Sequence, residues 1–177
     1  KIINHMREFG RKSEMELEPV QVNLVLEKAF EIFSQQLKLR EINVAWRLEA
    51  DLPDIMADPG RLEQVFINLL TNARDAIETR WLDSPRPEGK MIVLETSRAA
   101  DRVRVKVMDN GTGIPASISS RIFEPFFTTK EVGKGTGLGL SISYGLVQDC
   151  HWAIWAEPGQ AGGASFILEF PTTGENR

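Results

Sequence analysis

Two asparagines, Asn68 and Asn72, stand four residues apart in a segment whose apolar spacing predicts a helix over residues 59–79. At about 100° per residue, the polar residues of this segment form a narrow stripe beside a broad apolar arc. The stripe consists of Arg61, Asn68, Asn72, Asp75 and Thr79. Asparagine is a poor choice within a helix, and its amide oxygen is a hard, neutral ligand suited to Mg²⁺. The stripe therefore indicates either a metal–phosphate site or an ordinary solvated helix face.

A loop that begins with Asp109 directly follows a predicted strand and contains two glycines. A carboxylate at the end of a strand can accept a hydrogen bond from an exocyclic amine, such as the adenine amino group. Gly111 and Gly113 permit positive φ angles and close approach of the backbone to a flat ring. A plain surface turn and a dinucleotide-binding fingerprint are the other interpretations. The fingerprint would use Gly111, Gly113, Ala116 and, twenty residues after the first glycine, Glu131.

A second glycine cluster, residues 135–140, follows an aromatic segment, residues 123–127. Between them, Lys130 and Lys134 predict a glycine-hinged flap that is charged to meet phosphates. The glycine cluster opens a predicted helix, whose free N–H groups and dipole favour an anion. A flexible loop before a helix is the alternative interpretation. No Walker A motif occurs in the chain.

The elements that must position these groups predict an α/β fold. Predicted helices cover residues 23–40, with Asn23 as N-cap, residues 59–79, with Asp58 as N-cap and Pro59 at the first position, and residues 137–148. Predicted strands cover residues 43–48, 55–57, 91–96, 102–108, 153–156 and 164–170. This order predicts a two-layer sandwich in which about three helices pack on one face of a mixed, mostly antiparallel sheet.

Composition narrows the functional class. A chain of 177 residues predicts one main domain, and its net charge of -4 argues against nucleic-acid binding. The single cysteine, Cys150, excludes an internal disulfide and a cysteine-cluster metal site, and it fits a reducing compartment. No apolar run approaches the roughly 20 residues that span a bilayer, and we expect no signal peptide. We therefore expect a cytoplasmic domain without membrane contact.

Taken together and in this order, the motifs resemble those of the catalytic domain of bacterial sensor histidine kinases. This family lies in the superfamily of gyrase-type topoisomerases, heat-shock chaperone ATPases and mismatch-repair ATPases. The similar segments are residues 68–76 (asparagine box), 109–113 (first glycine box), 123–127 (phenylalanine box) and 135–140 (second glycine box). The resemblance covers about residues 21–171, and the phenylalanine box followed by Lys130 favours the kinase branch. It implies a Bergerat-type fold that binds nucleotide between helices and a lid.

The resemblance also implies roles for individual residues. Asn72 would ligate Mg²⁺, assisted by Asn68, and Asp109 would bind the adenine amino group. The base would be flanked by Gly111 and Gly113 and packed by Ile114. The lid hinge and phosphate cradle would consist of Lys130, Gly135, Thr136, Gly137, Leu138, Gly139 and Leu140, with Asn68, Asn72 and Lys130 taking part in catalysis. Asp75 stands where many members have a basic residue, so a water-mediated or sugar contact is expected there.

The implied activity is transfer of the γ-phosphate of Mg-ATP to a histidine on a dimerisation domain of the same protein. The phosphate would pass on to a response regulator, and the full-length protein would be a homodimer, either soluble or membrane-anchored. Residues 1–16 are expected to end the preceding dimerisation helix, and residues 17–177 to form the catalytic domain. His5, within that helical tail, is not expected to be the phosphoacceptor.

Two alternatives and one departure from the family pattern stand beside this interpretation. A nucleotide-binding pseudokinase is one alternative. An ATPase of the chaperone or topoisomerase branch is the other, although that branch commonly has a glutamate base where this chain has Asn68. The departure lies after the third helix, where family members commonly have a glycine pair and this chain has His151 and Trp152. Because a left-handed residue usually ends a helix, one of these two residues is expected to adopt that conformation at a cost.

Overall fold

A computed structural model describes residues 16–82, 89–130, 135–159 and 162–173, and it places three helices against a five-stranded sheet. The helices are α1 (Val22–Leu39), α2 (Pro59–Arg80) and α3 (Gly139–Asp149). The strands are β1 (Glu18–Val20), β2 (Asn43–Leu48), β3 (Ile55–Ala57), β4 (Met91–Ala99), β5 (Arg102–Asp109), β6 (Ala153–Pro158) and β7 (Ala164–Pro171). The predicted α/β class is confirmed.

The main sheet has the strand order β2-β4-β5-β7-β6. Only the β2–β4 pair is parallel, whereas the other three pairs are antiparallel. The sheet is therefore mixed and mostly antiparallel, as predicted. A second, two-stranded sheet joins β1 to β3. Strand β1 was not predicted, because its three residues include Pro19, and a proline within a run argues against a strand.

Side chains alternate along the central strands β4 and β5, which bury one face and carry charged residues on the other. Strands β4 and β5 bury every second residue, including Leu94 and Val105, on the helix side. On the opposite face, Glu95 pairs with Lys106 at 3.2 Å and with Arg47 at 3.7 Å. This alternation is the pattern of a sheet that packs helices on one side only, which agrees with the predicted two-layer arrangement.

Helix α2 lies in the centre of the helical layer. The Asp58 side chain caps it by accepting hydrogen bonds from the N–H groups of Gly60 (3.0 Å) and Arg61 (3.1 Å), and Pro59 occupies the first turn, as predicted. The buried residues of the helix are Leu62, Val65, Phe66, Leu69, Leu70, Ala73 and Ile77. The predicted apolar arc consists of these seven residues and Ala76, which is only half-buried. The stripe of polar residues therefore lies at the border of the core.

Two predicted helix starts are wrong. Gln21, not Asn23, is the N-cap residue of α1. Asn23 instead lies in the first turn, where its amide donates to the Glu49 carbonyl and accepts from the Thr96 hydroxyl, both at 2.9 Å. Tertiary hydrogen bonds thus take precedence over the local capping preference. Helix α3 begins two residues later than predicted, because Gly137 has a φ of 65°, which is not helical.

Helix α3 ends with His151 in the left-handed region, at a φ of 56°. The N–H of His151 donates to the Gln148 carbonyl (3.1 Å), and the N–H of Trp152 donates to the Val147 carbonyl (2.9 Å). These two bonds form a Schellman motif, in which glycine is the usual left-handed residue. The expectation that His151 or Trp152 takes this conformation is confirmed. Glu41, with a φ of 57°, ends α1 in the same way.

Several predictions concern residues that the structure does not describe. The predicted helical tail, residues 2–13, and its histidine, His5, lie outside the described residues. So do Glu131 and Lys134 of the predicted flap. None of the three helices in the described part of the chain combines the length and apolarity that a membrane crossing requires.

Candidate functional site

Asn68 connects α2 to the beginning of α3. Its Nδ2 donates to the carbonyl of Gly139 and to Oγ of the buried Ser143, both at 3.1 Å. Its Oδ1 accepts from Gln64 Nε2 at 3.3 Å. Every polar atom of the Asn68 amide therefore has a protein partner. This geometry makes Asn68 a residue that fixes the position of the α3 N-terminus.

Asn72, one turn further along α2, is different. Its Nδ2 is buried and has no hydrogen-bond partner among the described residues, and no described donor reaches its Oδ1. An unsatisfied buried donor costs about 1–3 kcal/mol, so such groups need an explanation. An amide oxygen suits Mg²⁺, and an amide N–H₂ group suits a phosphate or water oxygen. The residue thus fits a site that is completed by a ligand carrying both.

The acidic residues of the described chain do not form a metal cage by themselves. No group of three or more His, Cys, Asp or Glu side chains in the described segments could hold a metal ion. Mg²⁺ commonly keeps several waters and takes further ligands from substrate phosphates. The isolated Asn72 amide is compatible with that second mode of binding.

Asp109 is the last residue of β5, and only 5% of its surface is exposed. Its Oδ1 accepts hydrogen bonds from the N–H groups of Gly111 (2.8 Å) and Ala164 (3.4 Å). Burial raises the pKa of the Asp109 carboxyl above its ordinary value of 3.8, and these two N–H groups lower it by less. Oδ2 has no donor among the described residues. It is the atom that a ligand amine can reach.

The loop after Asp109 is held by close backbone contacts on two sides. A Cβ on Gly111 would lie 2.5 Å from the carbonyl carbon of Ala76 in α2. A Cβ on Gly113 would lie 2.6 Å from the Gly162 carbonyl oxygen, and one on Gly163 would lie 1.9 Å from the Asp109 carbonyl oxygen. The loop is therefore fixed between α2 and the residues that precede β7, and glycine is required at these three positions.

Arg80, at the end of α2, is a site residue that the sequence analysis missed. Its Nη1 donates to the carbonyls of Asn110 (2.6 Å) and Gly111 (3.2 Å). The N–H of Thr112 also donates to the Ala76 carbonyl at 3.2 Å. Arg80 thus fastens the aspartate–glycine loop to α2. Because the partners are backbone carbonyls about 30 residues away, no local sequence signal marks this role.

Among the described residues, no side chain caps the N-terminus of α3. Its N-cap residue, Leu138, makes no capping side-chain hydrogen bond, and the first intrahelical bond runs from the N–H of Ile142 to the Leu138 carbonyl (2.9 Å). Such a terminus favours an anion through its free N–H groups and dipole. The contrast with α2 is clear, because Asp58 caps the first turn there.

Two segments cross immediately before α3. The N–H of Phe126 donates to the Gly137 carbonyl at 3.0 Å, and a Cβ on Gly137 would lie 2.4 Å from the carbonyl carbon of Phe126. Phe126 itself has a φ of 65° and is 73% exposed. Phe123 stacks on Tyr144 of α3 with ring centroids 5.2 Å apart. An apolar surface therefore lies beside the start of α3.

Lys130 and Asp75 form an ion pair. The Lys130 ammonium contacts Asp75 Oδ2, and Asp75 Oδ1 accepts from Arg74 Nε at 2.8 Å. Gly135 packs against the Lys130 side chain, because a Cβ there would lie 3.1 Å from its Cβ and Cδ. The structure thus brings Lys130 to the polar stripe of α2, next to the position of Asn72.

The remaining predicted site residues belong to the aspartate–glycine loop and to the start of α3. Ile114 and Leu140 are partly buried against the core. Thr136 Oγ1 accepts from the N–H of Leu138 at 3.3 Å, and Gly139 adjoins Asn68. The dinucleotide-fingerprint interpretation is wrong, because that motif requires a helix directly after the glycines, whereas the residues from Ala116 onwards form turns.

A family model described as histidine kinase-, DNA gyrase B- and HSP90-like ATPase matches residues 57–174. The two-component sensor PprA of Pseudomonas aeruginosa is 38% identical over 173 residues, which cover 97% of this chain and 18% of PprA. The sensor kinase CckA of Brucella abortus is 43% identical over 127 residues, 68% of this chain and 13% of CckA. The chain thus spans less than a fifth of the length of these two curated relatives.

Solved structures are also similar. A catalytic domain of the histidine kinase ThkA superimposes with a TM-score of 0.77 at 32% identity, covering 92% of this chain and all of that domain. A second structure holds ThkA in complex with the response regulator TrrA; it has a TM-score of 0.78 at 29% identity and covers 99% of this chain and 48% of ThkA.

Proposed function

Because the chain belongs to the family of histidine kinase-, DNA gyrase B- and HSP90-like ATPases, we propose that it binds Mg-ATP and donates the γ-phosphate to a histidine on a separate dimerisation domain. The family expected from the sequence is confirmed, and the two relatives described above are named a two-component sensor and a sensor kinase. The residue roles below are part of the proposal.

The observation that carries the proposal is the alignment of the site along α2. Asn68 contacts the first residue of α3, and Ala76, eight residues on, contacts the loop of Asp109. At 1.5 Å per residue, these contacts are about 12 Å apart along the helix axis. Asn72 lies midway between them with its amide unsatisfied. An extended nucleotide suits this order, with its base at Asp109 and its phosphates at α3.

Each group has a distinct role in this proposal. Asp109 Oδ2 accepts from the adenine amino group, and the Asn72 Oδ1 would hold Mg²⁺. The N–H groups that open α3 and the Lys130 ammonium bind phosphate oxygens. Bound Mg²⁺ would neutralise charge on the phosphates. Phosphoryl transfer depends on such positioning more than on covalent chemistry from the protein, so no general base is assigned to this chain.

The apolar surface formed by Phe123, Phe126 and Tyr144 is the proposed docking face for the histidine-bearing domain. A groove of about 440 Å³ is lined by Phe123, Pro125 and Tyr144, among other residues. The crossing of Phe126 with Gly137, just before α3, supports a docking face beside the end of α3 that we propose to bind phosphate. A histidine docked there would face the γ-phosphate. By analogy with ThkA, the phosphate would then pass to a response regulator.

An ATPase of the chaperone or topoisomerase type is less well supported. That branch commonly places a glutamate base where this chain has Asn68, and the Asn68 amide is fully engaged with Gly139, Ser143 and Gln64. A nucleotide-binding module without transfer is the other candidate. It shares every contact described above, so only a transfer experiment separates it from a kinase.

The experiment supplies a histidine-bearing dimerisation domain separately and follows transfer of γ-labelled phosphate from ATP. We expect the wild type to transfer phosphate. The variant Asn72→Ala should lose both this transfer and Mg²⁺-dependent ATP binding. Asn72→Ala should keep its thermal stability, because it removes a buried donor that has no partner. Phe126→Asn should reduce transfer while ATP affinity stays unchanged; asparagine tolerates the left-handed backbone there.

Gln35→Ala is the matched control, since it removes an exposed carboxamide from α1, which does not form the site. Tight ATP binding without transfer by the wild type would favour the non-transferring module. Unchanged Mg²⁺-dependent binding in Asn72→Ala would contradict the metal assignment.

A further inference from the structure

Asp75 lies between two cations on the stripe that faces the proposed phosphate site. Its Oδ2 contacts the Lys130 ammonium and its Oδ1 contacts the Arg74 guanidinium. Its side chain is 21% exposed, so much of it is shielded from solvent. Arg74 also lies 3.8 Å from Glu78, which pairs with Arg40 at 2.7 Å, so the cluster of three cations and two carboxylates carries a net charge of about +1. Their combined field therefore attracts phosphate, although Asp75 alone would repel it.

Arg74 is fixed from the side of α1. Its Nη1 donates to Gln36 Oε1 at 2.8 Å, and its guanidinium lies 5.2 Å from the centre of the Phe33 ring. Only 17% of the Arg74 side chain is exposed. Arg74 is thus held by α1 and anchors the Asp75 carboxylate in one orientation, as a partner in an outer shell orients a ligand.

Lys130 is fixed from its own segment. Its N–H donates to Thr128 Oγ1 at 3.1 Å, and its aliphatic stem lies against Gly135. An ammonium group has three donor hydrogens, and among the described residues Asp75 uses one of them. The other two are available for phosphate oxygens while the ion pair stays intact.

We propose that Asp75 is a positioning residue that orients the Lys130 ammonium toward the phosphates of bound ATP. This inference rests on the proposed function, and it replaces the water-mediated or sugar contact expected from the sequence. The effect of neutralising Asp75 on ATP affinity has the opposite sign in the simplest alternative. If Asp75 merely adds negative charge to the site, its neutralisation strengthens ATP binding; if it orients Lys130, neutralisation weakens ATP binding.

The test compares Asp75→Asn, Lys130→Met and the double variant by calorimetric titration with Mg-ATP and with adenosine. Orientation predicts that Asp75→Asn weakens ATP binding about two- to fivefold, the range for a partly exposed ion pair. In the Lys130→Met background the same substitution should no longer weaken ATP binding, because there is no ammonium left to orient. Adenosine affinity should be equal in all four proteins, since adenosine carries no phosphate, and Asp75→Glu should restore part of the ATP affinity.

Glu63→Gln is the matched control. Glu63 also lies on α2, is 17% exposed and pairs with a lysine, Lys28, at 2.8 Å, so its neutralisation changes the charge of the same helix equally. ATP binding by Asp75→Asn that equals or exceeds wild type would overturn the inference, as would an equal loss in both backgrounds. Absence of ATP binding by the wild type would instead overturn the proposed function.

Discussion

Replacing Asp109 with asparagine separates the binding role of this residue from its structural role. The asparagine Oδ1 can still accept from the N–H groups of Gly111 and Ala164, which lie 2.8 and 3.4 Å from the carboxylate oxygen. The loop is also held by contacts that do not involve the side chain, such as the bond from Arg80 to the Asn110 carbonyl. The atom that changes is Oδ2, which becomes an N–H₂ group; in the proposed complex this atom contacts the adenine amino group.

The expected loss of ATP affinity follows from burial. A hydrogen bond to a charged group contributes about 1.5–3 kcal/mol, and Asp109 is only 5% exposed, so solvent screens it little. In Asp109→Asn the proposed bond from the adenine amino group is lost, and the asparagine N–H₂ group faces that amino group, so that two donors oppose each other. We therefore expect ATP to bind about 10- to 150-fold more weakly. Selectivity against GTP should also fall, because an amide N–H₂ group can donate to the guanine carbonyl.

Stability without nucleotide should change in the opposite direction. Burial raises the pKa of Asp109 in the folded state, so the proton-linked contribution of this group is fully present below its unfolded pKa and is lost as pH rises through the folded pKa. Near neutral pH, the ionised carboxylate thus lowers the free energy of unfolding relative to a neutral side chain. Asp109→Asn should be at least as stable as wild type there, and the difference should vanish below about pH 3.8.

Calorimetric titration with ATP and GTP, combined with thermal unfolding of the free proteins over a pH series, measures both effects. The control is Asp101→Asn, which neutralises an exposed aspartate at the other end of β5. ATP affinity within a factor of two of wild type would refute the adenine contact. A melting temperature several degrees below wild type near neutral pH would refute the argument from burial.

Two further pairs of substitutions test the backbone geometry. His151→Gly should raise the free energy of unfolding by about 0.5–1 kcal/mol, because the left-handed strain of about 1–2 kcal/mol exceeds the entropic cost of glycine; thermal unfolding should show a rise of about 1–4 °C. Glu41→Gly, at the equivalent position of α1, should gain as much, and no gain at either position would contradict the strain argument. Gly163→Ala should lower both thermal stability and ATP affinity, because its Cβ would lie 1.9 Å from the Asp109 carbonyl oxygen. Gly145→Ala, where a Cβ meets nothing within 4 Å, is its control, and equal behaviour of the two variants would show that the close approach is unimportant.

Features with a local physical cause could be predicted from the sequence. Helix α2 combines an apolar arc, a capping aspartate and a proline at its first position, and each of these acts within one or two turns. The strand that ends at Asp109 alternates apolar and polar residues, so its end was also visible. The polar stripe of α2 followed from the same periodicity, which is why Asn68, Asn72 and Asp75 could be selected as site residues.

Features that depend on distant contacts could not be predicted. Arg80 reads as an ordinary basic residue in a last helical turn, and only the fold brings it to the carbonyls of the aspartate loop. Glycine is required at position 163 because of the Asp109 carbonyl, which is 54 residues earlier in the chain. The distinction between Asn68, which is saturated with protein hydrogen bonds, and Asn72, which is not, depends on the position of α3. Two identical side chains on one stripe are therefore indistinguishable until the tertiary structure is known.

The bond between Asp109 and Ala164 has a consequence for the order of folding. Its two residues are 55 positions apart, and such non-local pairings close a long loop and generally form late. In a nascent chain that has completed α2 and β5, the polar stripe of α2 is therefore formed before the Asp109 carboxylate is held by Ala164. Because a ligand stabilises only the state that it binds, ATP would act on the docking of β7. Slower hydrogen exchange of β7 amides would then accompany nucleotide binding, although the ligand lies beyond the end of that strand.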